Sequence, residues 1–128
     1  MTLLLSATPE YLQQCRDAQA REQAASLIAT NQWAHVDKAQ AHHDFQRLYG
    51  ELAPLIGYSE PSSPAVQQLM ARHYAIASRF YPASRQAYVG TALFYAENAD
   101  MKAFHDAYHP RLVEFLGEAM FVYAHSEL

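Results

Sequence analysis

One helix is spelled out residue by residue between Ser63 and Tyr88, and it limits what the rest of the chain can become. Ser63 can accept from backbone donors as an N-cap, and Pro64 takes the first helical position, where a missing N–H costs nothing. Val66, Leu69, Met70, His73, Ile76, Ala77 and Phe80 then recur at spacings of three and four, which places them on one helix face. Tyr81-Pro82 ends the run. The face has a histidine in mid-stripe, Arg72 and Arg79 on either side of it, and the rings of Tyr74, Phe80, Tyr81 and Tyr88 close by. That composition suits a wall shared by a core and a pocket.

The flanking segments read as helices too. Thr8-Pro9-Glu10 is a capped start for a run to about Ala29 whose apolar positions, Leu12, Cys15, Ala18, Leu27 and Ile28, are sparse. Helical stability comes mainly from a packed apolar face, so residues 8–29 are expected to be loosely docked, mobile and the least stable element. Thr30 or Asn31 can cap a second helix from Gln32 to about Ala53, with Trp33, Val36, His43, Phe45, Leu48, Tyr49 and Leu52 turned inward, and Pro54 and Gly57 close it. Residues 57–62 form a turn. Ser84 caps a helix from Arg85 to about Ala96 that gathers Tyr88, Thr91, Ala92 and Tyr95 on one side. A short helical segment follows with Met101, Phe104 and Tyr108 inward, and Pro110 opens a last helix striped by Leu112, Phe115, Leu116, Ala119, Met120 and Tyr123. No segment alternates apolar and polar residues. The expectation is an all-α fold of about five to six helices, and 128 residues fit one domain with a core that needs no staples.

Composition excludes several classes of function. The single cysteine, Cys15, forbids an internal disulfide and points to a reducing compartment, so the expected location is the cytoplasm. Leu3-Leu4-Leu5 is too short for the apolar part of a signal peptide, and no later run is long enough to span a membrane. Net charge is −4 with nine basic residues spread thinly, whereas nucleic-acid binding gathers basic side chains on one face. Nine tyrosines are the stronger clue, since each ring carries apolar area with a polar tip suited to core edges or ligand walls.

Candidate chemistry is sparse. His105 and His109 have the spacing of two metal ligands, with Asp106 or His35 as completing groups, but the segment is short and Pro110 follows at once, so a solvated pair at a helix junction is expected and no metal. His42 and His43 point about a hundred degrees apart on a helix, one expected buried and one exposed. Cys15 lacks an activating histidine nearby and reads as a small semi-buried residue. Glu114 and Glu118, one turn apart, read as an exposed face. There is no phosphate loop, nucleophile elbow or catalytic triad, so no enzymatic activity and no cofactor are expected. His73 admits two readings: a satisfied core histidine, or a ring aimed at a ligand in a cleft. Trp33, Tyr74, Tyr81, Tyr88 and Tyr95 admit the same pair, because so many buried polar tips need partners.

The order Trp33, Pro61, Ser63-Pro64-x-Val66-Gln67-x-Leu69, Arg72-His73-Tyr74, Arg79-Phe80-Tyr81-Pro82, Tyr88-x-Gly90, Tyr95 and His109-Pro110-x-Leu112-x-x-Phe115-Leu116-x-x-Ala119-Met120 resembles the TipA-type antibiotic-recognition domain, over about residues 25–124. That domain usually forms the effector half of MerR-type transcription activators and also occurs as a free drug-binding protein. The resemblance implies a globin-like helical fold around a cleft or tunnel that takes bulky, rigid, mostly apolar antibiotics, and it implies no catalysis. The winged-helix half and its coiled coil have no counterpart in these 128 residues, which leaves a monomer or a modest homodimer. Some relatives capture thiopeptides through a cysteine in the C-terminal half; Ile76 and its neighbours offer no thiol, so non-covalent binding is expected. The expected function is sequestration of a hydrophobic antibiotic or multi-ring compound, conferring resistance. The alternatives are a ligand-sensing effector domain serving a separate DNA-binding partner, and a haem binder with His73 as proximal ligand. Trp33, His43, His73, Tyr74, Phe80, Tyr81, Tyr88, Phe94, Tyr95 and Tyr108 are the candidate lining residues.

Overall fold

The computed structural model describes residues 3–128, and every regular element in it is helical. A single turn, α1 (Leu3–Ser6), precedes α2 (Pro9–Ala29), α3 (Lys38–Leu52), a 3-10 turn over Ala53–Leu55, α4 (Pro64–Ala77), α5 (Arg85–Glu97), α6 (Ala99–Asp106) and α7 (Leu112–Glu127). The fold is all-α, in an arrangement that fits the globin-like class.

Polar caps set most helix starts. The side chains of Thr8, Asp37, Ser84 and Asn98 accept from the backbone N–H three residues on, and each satisfies one donor the helix itself cannot. Ser63 sits at the N-cap of α4 as expected, but its hydroxyl is buried without a partner, so Pro64 alone marks that start. Three boundaries differ from the sequence expectation, the first being the end of α4, which stops at Ala77 so that Phe80 lies beyond the helix and not in its stripe. Thr30 and Asn31 end α2 rather than begin the next helix: Asn31, Gln32 and Trp33 all adopt left-handed φ, at 53°, 61° and 62°, and Gln32 N–H reaches back to Leu27 C=O at 2.8 Å. That six-to-one bond with asparagine in the left-handed position is a Schellman stop. Asp37 then starts α3 with its own side-chain cap. The last helix begins at Leu112, not Pro110.

The first long helix is not loosely docked. Cys15 and Ala18 are fully buried against α5, and Cys15 is not the half-exposed residue expected. The contact is backbone to backbone: a Cβ placed on Gly90 of α5 would stand 2.1 Å from the Cys15 carbonyl oxygen. Polar ties hold both ends of this contact, Arg16 donating to both oxygens of Glu97 and Ser84 donating from N–H and hydroxyl to Glu22. Counting large apolar residues misses a helix that docks by being thin.

On its other side α5 packs against α7, whose buried face includes Leu112, Leu116, Ala119, Met120 and Ala124. Glu118 is buried as well, not on the exposed face expected, and accepts from Leu4 N–H at 3.2 Å, so it anchors α1. α3 packs on α4, with Leu48, Tyr49, Leu52, Val66 and Met70 buried on the two helices, and α6 packs on α5. His42 and His43 are both exposed.

Candidate functional site

Four buried polar side chains from four helices form a chain through the core. His73 of α4 is fully buried, with Nδ1 2.7 Å from the Tyr88 hydroxyl of α5 and Nε2 3.4 Å from the Tyr49 hydroxyl of α3. The Tyr49 hydroxyl lies 3.0 Å from Nε2 of His105 on α6, whose Nδ1 lies 2.7 Å from the carbonyl of Met101. One end decides every proton. A carbonyl only accepts, so His105 carries its hydrogen on Nδ1 and receives the Tyr49 proton on Nε2. Tyr49 then accepts from Nε2–H of His73, which leaves His73 Nδ1 to accept from Tyr88. Both rings are neutral in this scheme. Burial, and secondarily the neighbouring His105, push His73 down to about 3, and burial lowers His105. Burial likewise holds the phenols of Tyr49 and Tyr88 well above their ordinary range.

In front of this chain lies a groove of about 290 Å³. Gln19 and Gln23 of α2 form one rim. Trp33, and Phe80 and Tyr81 from the segment after α4, close one end. Phe45 of α3, Met101 of α6 and Tyr88, Thr91, Phe94 and Tyr95 of α5 make up the remaining aromatic and apolar wall. None of its lining residues is charged, whereas four other recesses of similar size each carry charged side chains. Trp33 meets Phe80 edge to face at 5.0 Å. Its indole N–H donates to Ser26 Oγ, which donates to Phe80 C=O, so the left-handed turn at the end of α2 is tied to the segment after α4. Ring faces and a few polar atoms in a concave site are what ligand pockets are built from, and this volume lies near the lower end of their range of about 300 to 1,000 Å³.

The structure sorts the sequence candidates by position. Trp33, Phe80, Tyr81, Tyr88, Phe94 and Tyr95 line the groove. His73 stands behind it, both nitrogens engaged by tyrosines, with no lone pair free for a haem iron. Tyr74 also lies outside the lining; its hydroxyl donates to Ala83 C=O at 2.6 Å and its ring meets Tyr88 edge-on. Tyr108 packs on Tyr49 and Phe104 instead. His43, expected to face inward, points to solvent because at about 100° per residue it stands roughly opposite Ala41, Leu48 and Leu52, the side of α3 that turns to the core. His105, expected solvated beside His109, is buried at 1 % exposure, and His109 accepts from Arg111 N–H. Residues the sequence argument passed over are Gln19, Gln23, Phe45, Thr91 and Met101 in the lining, with Tyr49 and His105 behind it. Gln19 and Gln23 are four apart on the side of α2 that carries Cys15 and Ala18, a spacing that could have placed them.

Among the described residues no helix is long and apolar enough to cross a membrane, and no group of three or more His, Cys, Asp or Glu is placed to hold a metal ion. No curated protein and no solved structure matches the chain. The family model of the TipAS antibiotic-recognition domain matches residues 13–123, so the domain takes in most of α2 rather than beginning near residue 25. With nearly its whole length accounted for, the chain belongs to the TipAS antibiotic-recognition family.

Proposed function

We propose that this protein binds a bulky, hydrophobic, ring-bearing antibiotic or related compound in the groove beside α2 and α5, holds it without chemistry, and so lowers its free concentration in the cytoplasm. The observation that carries this reading is an aromatic groove without a charged residue in a chain of an antibiotic-recognition family. Sequestration needs affinity only. A ligand that loses about 200 Å² of apolar surface to such walls gains roughly 5 kcal/mol before the cost of immobilising it. Non-covalent binding follows from the thiol chemistry as well: Cys15 is fully buried, and burial raises its pKa, so it is a poor nucleophile.

The chain has one tryptophan and it lines the groove, so intrinsic fluorescence reports occupancy directly. A screen of antibiotic classes is expected to yield ring-bearing compounds that both quench Trp33 and raise the melting temperature. A ligand present at a hundred times its dissociation constant adds about 2.7 kcal/mol of stability. If no class moved either signal at near-saturating concentration, the reading would be wrong.

A further inference from the structure

Five side chains in the wall of the groove carry a hydroxyl or an indole N–H, and three of them are committed to the protein. The indole N–H of Trp33 donates to Ser26 Oγ at 2.9 Å, the Thr91 hydroxyl to Ala87 C=O at 3.0 Å, and the Tyr88 hydroxyl to Nδ1 of His73 at 2.7 Å. The other two are Tyr81 and Tyr95. Among the described residues no protein atom stands in hydrogen-bonding geometry to either hydroxyl, yet neither oxygen is sealed in as those of Ser63 and Ser78 are. Both side chains line the groove, so the groove is the space these hydroxyls open to. Tyr95 is only 9 % exposed and Tyr81 is half-buried, and a buried polar atom that the protein leaves unpaired is an exception that asks for a partner from outside.

We infer that Tyr81 and Tyr95 are specificity-determining residues of the groove, and that their hydroxyls donate to a carbonyl-type oxygen, ketone or amide, on a neutral multi-ring guest. The inference rests on the groove being the ligand site and narrows the class of compound that fills it. A phenol gives its hydrogen readily and accepts poorly, because its oxygen lone pair is delocalised into the ring, so the group that complements it is an acceptor. Burial raises both phenols above their ordinary value, which keeps them protonated at neutral pH. No charged side chain lines the groove, so an acceptor that needs a cation to replace its hydration finds none, whereas a neutral carbonyl needs only the two hydroxyls. A ring system without an acceptor expels the water and leaves both donors unsatisfied; one with a carbonyl in the right place satisfies them.

Three probes share one flat three-ring frame and differ in a single bridging group: fluorene with CH2, 9-fluorenone with C=O and carbazole with N–H. Affinities are read from Trp33 quenching and thermal shift. Tyr81→Phe combined with Tyr95→Phe is expected to weaken 9-fluorenone about three- to tenfold, the worth of the hydrogen bonds removed, while fluorene and carbazole lose no affinity. The carbonyl stretch of bound 9-fluorenone should lie at lower wavenumber in wild type than in the double variant, a difference that a merely structural role for the hydroxyls would not produce. Without ligand the double variant should melt no lower than wild type, since neither hydroxyl has a protein partner to lose. Tyr58→Phe, 90 % exposed and outside the groove, is the control for loss of a hydroxyl elsewhere. An unchanged 9-fluorenone affinity in the double variant, a loss shared equally by fluorene or falling on carbazole instead, or a variant that melts well below wild type or does not fold would overturn the inference while leaving the groove as a ligand site. If none of the three probes bound wild type, the functional reading would fall and this inference with it.

Discussion

Gly90→Ala tests the least expected feature of the fold, the docking of a helix poor in apolar residues. The new Cβ would lie 2.1 Å from the Cys15 carbonyl oxygen, 2.6 Å from Gln19 Cβ and 2.8 Å from the Cys15 carbonyl carbon. All three atoms sit at or next to the α2 backbone, so no side-chain rotation relieves the overlap. The helices must separate by more than an ångström. Helix propensity works the other way, since alanine is favoured over glycine by about 0.8 to 1 kcal/mol in a helix interior. Overpacking a close-packed site costs about 1 to 3 kcal/mol even where side chains can adjust, and here the separation also loosens the burial of Cys15 and Ala18. The expected net loss is about 2 to 3 kcal/mol, which for a domain of this length lowers the melting temperature by about 8 to 12 °C. Gly50→Ala is the control: that glycine is exposed within α3 and a Cβ there meets nothing within 4 Å, so propensity acts alone and stability rises by about 0.5 to 1 kcal/mol. Thermal melts by circular dichroism measure both. A Gly90→Ala protein as stable as wild type would mean that α2 does not ride on α5 as described.

Other consequences are as open to test. Cys15 should resist a thiol reagent in the native protein and react at the rate of global unfolding, and fast labelling under native conditions would show α2 detached. Trp33→Ala is expected to weaken a bound ring compound about tenfold or more while costing only a modest part of the stability, because Trp33 is half-buried on an irregular turn; Tyr88→Ala, fully buried, should instead lower stability by about 3 to 5 kcal/mol, and calorimetry distinguishes the two. Acid should weaken the fold through His73. Its folded value is pushed down to about 3 while the unfolded ring titrates near 6.5, so between those values the unfolded chain holds a proton that the native protein refuses. Stability is complete above about pH 6.5 and falls by about 1.4 kcal/mol per pH unit below it, with His105 shifted the same way and adding to the slope. A melting temperature constant from pH 7 to 5 would contradict the neutral histidine chain.

Local signals in the sequence proved legible wherever one residue type had one job. Thr8, Pro64 and Ser84 mark helix starts because a proline ring or a short polar side chain does its capping within three residues of itself. The aromatic stripe of α4 and α5 was legible for the same reason, since periodicity says which residues share a face. Periodicity does not say which face lines a groove and which lies behind it, and so His73 and Trp33 entered as equals. His105 was misplaced because its partner was sought four residues away, at His109, when it lies at Tyr49, 56 positions distant in sequence. His43 went astray on phase: at about 100° per residue it stands roughly opposite the stripe of Ala41, Leu48 and Leu52, and an inward histidine there was never compatible with that stripe.

The all-helical class, the helix starts at Pro9, Pro64 and Arg85 and the ring-rich composition of the site follow from the sequence alone, because capping, periodicity and residue type act over a few neighbours. Only the tertiary structure decided that α2 is clamped to α5, that a groove stays open between them, and that the histidines turn away from it into a one-way chain of protons. Those outcomes depend on distances between helices, which are set by a missing side chain at Gly90 and by hydrogen bonds between residues far apart in the chain.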